Sequence, residues 1–543
     1  MRGFHSDFKK GLTGGLRPDY IMVSNSALLS QAINCRLRPS GLEGYSQHIA
    51  LLPTFYDYLT GVAVTLTYSW PFPQLFNTDS GFYVCTKSAI YRVWGEGTGL
   101  KSEKIITLPI DTVWPWTLAD CPKFPVFANG DYLVYYDYDL TTWISYSFKY
   151  GTIAGNHWNT SWHTPLAACY FRGQILLAGS NDLNILDDNK KIRFSDIGVF
   201  DFLGRDPAAS AADILRNIAG EVNFSSAVEE RVLRLAPLGK CVIAYGQFAI
   251  QSLTPVQDPA PTYSPDEIAD YGIACPLAVG VGKDEHIFVC RTGHLWKVAG
   301  GQGAPVVSKL GYLEWLGPLQ TGVDLTKQLG LISILYNPTE KEYYISNGTT
   351  SYIYNSLGLT QGSKAVYGWA DYTNVASIDT GYIDLEDGTG EILLEDGGYV
   401  ELENYTMPIA SSNVGLYVDD AALTTYLQLR TDAIDFSLPA IKTIESVDLD
   451  MDIPAAATVE VMVEWVNSMN DTWHTTTWKR CNPAGMCYPL VSGVLFRINV
   501  RVANYYNTGL DTTVIRSIGV SWKQSDKTGI RGARQQSADS SAT

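Results

Sequence analysis

The sequence predicts a mainly β protein: an irregular β-propeller with an additional C-terminal β-sandwich-like domain. Three observations carry this. Short apolar runs flank small or polar turns at six places along the chain. They recur about every 40–70 residues, the spacing of one four-stranded blade per repeat. The last third alternates apolar and polar residues with a period of two, the pattern of half-buried strands.

The six ribbons are read in order. Phe82–Cys85 and Ala89–Val93 flank Thr-Lys-Ser, and Pro125–Ala128 and Tyr132–Tyr136 flank Asn-Gly-Asp. Ala168–Phe171 and Ile175–Ala178 flank Arg-Gly-Gln; Cys241–Tyr245 and Phe248–Ile250 flank Gly-Gln. His286–Cys290 and His294–Val298 flank Arg-Thr-Gly, and Glu342–Ile345 and Ser351–Tyr354 flank Ser-Asn-Gly-Thr-Thr. Gly or Asn supplies positive φ in most of these turns, so each reads as a β-hairpin. No WD or kelch signature accompanies them.

Five segments follow. Residues 1–50 are an N-terminal arm, 51–380 the propeller, 381–425 an acidic β-meander, 426–522 a β-sandwich-like platform and 523–543 a disordered tail. Within the propeller, Asp206 to Leu235 breaks the strand pattern. Pro207 precedes Ala211, Ala212, Ile214, Leu215 and Ile218 at helical spacing, which predicts an inserted helix or two. In the meander, acidic and apolar residues alternate between Asp-Gly turns. This gathers Asp384, Glu386, Asp387, Glu391, Glu395, Asp396, Glu401 and Glu403 into a candidate acidic face, directed at a lumen or a partner. The platform strands are Tyr426–Arg430, Val459–Trp465, Leu495–Val502 and Ile515–Trp522.

Composition narrows the function classes. Apolar residues reach 46% against 17% charged, enough material for packed cores. The 33 Tyr and 14 Trp suit strands and protein interfaces. A net charge of −17 opposes sequence-specific nucleic-acid binding, while an acidic channel would let DNA slide without sticking. Nine scattered Cys, with no Cys-x-x-Cys, read as reduced buried thiols. The N-terminal residues do not form a signal peptide, and no apolar run is long enough to span a membrane.

Motifs for chemistry are weak. Asn77–Phe82 shares an Asp and a Gly with the Asp-box turn of sialidases, but Tyr83 and Val84 replace its Thr and Trp. No carboxylate pair stands out for acid–base work. His286 and His294 flank a turn and read as ordinary histidines. His474 with Cys481 and Cys487 is a conceivable metal set, although Asn482–Gly485 reads better as a hairpin tip. Neither a phosphate loop nor a nucleophile elbow occurs, and Gly300–Gly303 reads as a blade connection. The acidic run lacks the ligand order of a calcium loop. The expectation is therefore no catalytic residue, no metal and no cofactor.

Several segments together resemble the tail nozzle (tail hub or accessory) proteins of short-tailed, podovirus-type bacteriophages. They are Ala236–Ile250, Tyr271–Cys275 with the hairpin through Val289, and Tyr336–Ile345 with the tyrosine-rich strand to Tyr354 and Trp369 beyond. Pro18–Ile21 and the closing strand Arg516–Trp522 also fit, so the likeness spans most of residues 15–522. The meander and the helical insert have no counterpart in it. The resemblance implies a non-enzymatic structural component of a virion tail, assembled in the host bacterial cytoplasm. It implies a six-fold ring beneath the portal and adaptor that conducts DNA at ejection. Partners would be the adaptor or head-to-tail connector above, and tail fibres, tailspikes or a plug below. Two other readings stand beside it: a carbohydrate-binding or glycoside-cleaving propeller of a virion, and a tail-tip or receptor-binding protein.

Overall fold

The computed structural model describes residues 2–7, 16, 29–45 and most of 50–525. Outside the description fall 8–15, 17–28, 203–217, 318–331, 375–404, 419–425, 526–543 and several shorter stretches. The molecule is mainly β, with propeller-like four-stranded antiparallel sheets and larger sheets beside them.

Six blades follow one another in sequence. Their innermost strands are Gln74–Thr78, Thr117–Ala119, Pro165–Phe171, Arg234–Leu238, Val279–Val281 and Ser333–Asn337. All six sequence-predicted ribbons are hairpins. Five form the two middle strands of a blade; the third, Pro165–Phe171 with Gln174–Ser180, forms the inner two. Positive φ falls at Gly130, at Arg172 with Gly173, at Gly293 and at Gly348, each at the tip of a predicted turn.

Neighbouring blades meet through buried contacts. Gln74 Oε1 in the first blade accepts from the backbone N–H of Trp116 at 2.6 Å, just before the second blade begins. Trp116 is fully buried, and its Nε1 donates to the carbonyl of Thr86 at 3.0 Å. Between the fourth and fifth blades the chain passes so close to itself that a Cβ on Gly272 would lie 2.0 Å from the Gly246 carbonyl oxygen. Only glycine fits there, and it lets Ile273 N–H donate to that carbonyl at 2.9 Å.

A seventh blade closes the series. Gly368–Asn374, Tyr405–Ser411 and Leu416–Val418 supply three strands, and Ala50–Leu51 from before the first blade supplies the fourth. Gly368–Asn374 also packs beside Gln74–Thr78 of the first blade. The two ends of the series are thus tied by a strand from the opposite end of the chain.

The second body is a sandwich. One sheet runs Cys35–Arg38, Gly41–Gly44, Val514–Gln524, Lys442–Asp452, with Arg2–Asp7 also paired to Val514–Gln524. The other contains Leu427–Thr431, Leu495–Ala503 and Thr458–Val466. Alternation drives Phe496, Ile498, Val500 and Val502 to one face, where all are fully buried. Each such side chain stabilises by about 1.5–3 kcal/mol. Leu29–Ile33 lies between Leu427–Thr431 and the outer strand Gly358–Gly362 of the sixth blade. That blade and half of the sandwich are therefore one ten-stranded sheet. A single core runs through both, from Ile345 and Leu359 to Val461 and Trp522.

Several expectations change. Gly220–Asn223, inside the predicted helical insert, is the outer strand of the third blade, paired to Lys191–Phe194. Its Gly220 admits the Phe194 ring, which an alanine Cβ would meet at 2.1 Å. Arg234 and Leu235, at the end of the predicted insert, begin the inner strand of the fourth blade, while 206–217 and 225–229 lie outside the described residues. Within 381–425, the strands Tyr405–Ser411 and Leu416–Val418 are part of the seventh blade. Within 1–50, the described strands are built into the sandwich and the blades. Lys523 and Gln524, expected in the tail, complete the last strand.

Candidate functional site

The sandwich presents a face that the sequence reading did not single out. Opposite the buried row of Leu495–Ala503 lie Arg497, Asn499 and Arg501. Register sets Glu460 against Arg501 and Glu464 against Arg497, because antiparallel neighbours project to the same face. Arg501 Nε donates to Glu460 Oε2 at 2.6 Å, and Arg497 Nη1 lies 3.7 Å from Glu464 Oε2. Asn499 Nδ2 donates to Glu464 Oε1 at 3.1 Å, and Arg430 Nη1 lies 3.9 Å from that same oxygen. Arg430 Nε donates to Ser30 Oγ at 3.0 Å, tying the strand Leu29–Ile33 into the network.

Aromatic rings flank the arginines. The Arg497 guanidinium stands 4.1 Å from the Trp473 ring centre, and Arg501 stands 4.3 Å from Trp478 and 4.9 Å from Tyr426. Arg480 pairs across from Glu460 on the exposed edge strand. Four arginines thus face two glutamates in a chain whose net charge is −17. Arg, Trp and Tyr are the residue types that anchor protein interfaces.

The opposite outer face carries the reverse charge. Along Lys442–Asp452, Val447 and Leu449 point inward, while Asp448, Asp450 and Asp452 are exposed. Arg516 engages two of them, Asp450 at 3.3 Å and Asp452 through a second contact.

A cavity of about 310 Å³ opens between the second and third blades. Phe124, Tyr136, Tyr138, Tyr170 and Phe200 line it, with Lys123 at the Tyr138 ring. Phe124 and Tyr136 stack at 4.2 Å. Among the described residues no Asp or Glu lines this cavity.

The described residues singled out from sequence do not gather into one site. The acidic face from Asp384 to Glu403 lies outside the described residues, as does Asp79 of the Asp-box-like turn. His286 is fully buried between two hydrogen-bond partners, and His294 Nε2 lies 3.1 Å from Lys309 Nζ. His474 sits 4.0 Å from Asp471 and against the Trp465 ring, while Cys481 and Cys487 share a hydrogen bond with each other. Among the described residues no group of three or more His, Cys, Asp and Glu is placed to hold a metal. Among the same residues no helix is long and apolar enough to cross a membrane. All nine Cys are free thiols, eight of them buried.

No family model and no curated protein matches the chain. Among solved structures, PorZ of Porphyromonas gingivalis, described as an essential bacterial surface component of the type-IX secretion system, aligns at 11% identity with a TM-score of 0.33. The alignment covers 79% of this chain and 46% of PorZ, so the chain spans about half of that protein's length. The β-propeller domain of Swd1 (Cps50) from Myceliophteria thermophila aligns at 9% identity with a TM-score of 0.34, covering 68% of this chain and 98% of that domain. At these scores neither likeness bears on function, and the blade description rests on the strand pairing itself.

Proposed function

We propose that this chain is a structural subunit of a bacteriophage tail: one copy of a nozzle ring below the portal and adaptor, around a DNA conduit. The observation that carries this reading is the ten-stranded sheet that fuses the sixth blade to the sandwich through Leu29–Ile33. A continuous sheet transmits load between the two bodies without a hinge, which suits a part whose purpose is geometric. The resemblance of the blade and sandwich segments to tail nozzle proteins supports the same reading. So does the Arg/Trp face, which has the residue types of a subunit contact.

In this reading the subunit performs no catalysis. Its partners are copies of itself, the connector above, and fibres, spikes or a plug below; DNA passes without being read. Mass photometry of the purified full-length chain tests it. A population at six times the monomer mass is expected, and a monomer at every concentration would count against the ring.

The cavity between the second and third blades favours a second reading, a carbohydrate-binding propeller. Its aromatic walls and Lys123 suit sugar rings, and a lining without carboxylates suits binding rather than cleavage. Glycan-array binding lost in a Tyr138→Ala variant would support it; silence on the array would remove it.

A further inference from the structure

We propose that the sandwich is the joint of the ring: the Arg/Trp face of one copy docks on the Asp448/Asp450/Asp452 face of the next. This deepens the ring reading above and rests on it.

The two faces lie on the outsides of two sheets packed against each other, so they point in opposite directions. A patch that fits its own opposite side makes a head-to-tail contact, and head-to-tail contacts close into rings when the rotation per subunit allows. Charge chooses the pairing. Arg430, Arg480, Arg497 and Arg501 outnumber Glu460 and Glu464 on one side. Three aspartates outnumber Arg516 on the other. Two identical faces meeting would repel, so the arrangement disfavours a two-fold dimer and favours a directional chain of copies.

The apolar part of the contact is present as well. Trp473 and Trp478 are half-buried beside their arginines, and Tyr426 is 44% exposed. Arginines already held in place by Glu460, Glu464 and aromatic rings lose little side-chain freedom on docking, which favours affinity. On the acidic side the strand alternates cleanly, so the three carboxylates stand in one row two residues apart.

The test uses two full-length variants. Asp448→Lys/Asp450→Lys makes both outer faces basic and touches only exposed side chains. Arg480→Glu/Arg501→Glu makes both outer faces acidic; its thermal melt is compared with wild type to confirm folding. Mass photometry is read on each alone and on an equimolar mixture. Each variant alone is expected to lose the ring population at least tenfold. The mixture is expected to restore it, because an even-membered ring can alternate basic and acidic copies. Rising salt should dissociate the wild-type ring in the same range.

Should the second variant fail to fold, the Asp448→Lys/Asp450→Lys variant and the salt titration still decide. A ring that persists in the aspartate variant overturns this joint and leaves the ring itself standing. A wild-type chain that never forms rings overturns the ring reading instead.

Discussion

The Tyr245 hydroxyl lies 2.8 Å from Nδ1 of His286, across the seam between the fourth and fifth blades. Nε2 of His286 lies 3.0 Å from the carbonyl of Pro237, which can only accept. The proton therefore sits on Nε2, and Tyr245 donates to Nδ1. Both ring nitrogens are satisfied by a neutral imidazole that is fully buried.

That arrangement has a pH consequence. Burial, helped by nearby Arg234 and opposed by the Pro237 bond, pushes the His286 pKa down from 6.5 to about 4. The unfolded chain takes up a proton through this window and the folded chain refuses it. This contribution is complete above pH 6.5 and is lost as pH falls towards 4, by about 3 kcal/mol in all. Urea midpoints of wild type and His286→Gln, measured from pH 4 to 8, should differ in slope across the window. Parallel curves would refute the assignment.

Arg36 guards a buried carboxylate where the sandwich meets the sixth blade. The Glu342 side chain is fully buried, with Arg36 Nη1 at 4.0 Å and Arg38 Nη1 at 3.7 Å. Burial pushes the Glu342 pKa up, and the two arginines pull it back. Arg36→Met should destabilise, by less than the roughly 3–5 kcal/mol of a fully stranded buried charge because Arg38 stays beside the carboxylate, and adding Glu342→Leu should recover part of the loss. Chemical denaturation of the single and double variants reads both effects.

The first 51 residues hold both bodies. Leu29–Ile33 joins the sixth blade to the sandwich, and Ala50–Leu51 closes the seventh blade. Deleting residues 1–51 exposes strand edges on both and should lower the melting temperature by more than 10 °C, with dye-binding surface appearing. An unchanged melt would show that these pairings are dispensable.

Cys481 and Cys487 should form a disulfide on mild oxidation. Asn482 N–H donates to the Met486 carbonyl at 2.9 Å, which sets the two cysteines opposite each other across the turn. The Cys481 hydrogen bond, with help from Lys479 and against burial, lowers the Cys487 pKa below the usual thiol range. Glutathione disulfide would accept the two electrons, giving the Cys481–Cys487 bond and two glutathione thiols. Peptide mapping should find this pair oxidised and the seven other thiols reduced; a random pattern would refute it.

Local chemistry made much of the fold legible. Short apolar runs on either side of a turn located the six hairpins, Gly or Asn marked most of the turns, and period-two alternation located the platform strands, because these signals act within a few residues. The strand Leu29–Ile33 that joins blade to sandwich and the closing strand Ala50–Leu51 were hidden for the opposite reason. Leu-Ser-Gln-Ala-Ile and Ala-Leu are too short to signal a strand, and their partners lie hundreds of residues away. Gly220–Asn223 was masked by the alanine-rich run before it. The Arg/Trp face had a readable half: Arg497 and Arg501 alternate with buried Ile498, Val500 and Val502. Its other half, Trp473 and Trp478 beside those arginines, depends on register between distant strands, which one sequence does not display.

The most direct test of the account is a cryo-EM map of an assembled short-tailed particle containing this chain, with its structure docked into the density. The account predicts six copies in a ring immediately below the connector, with DNA-width space along the axis. Density for the chain only at the distal tip, or copies isolated from one another, would contradict it.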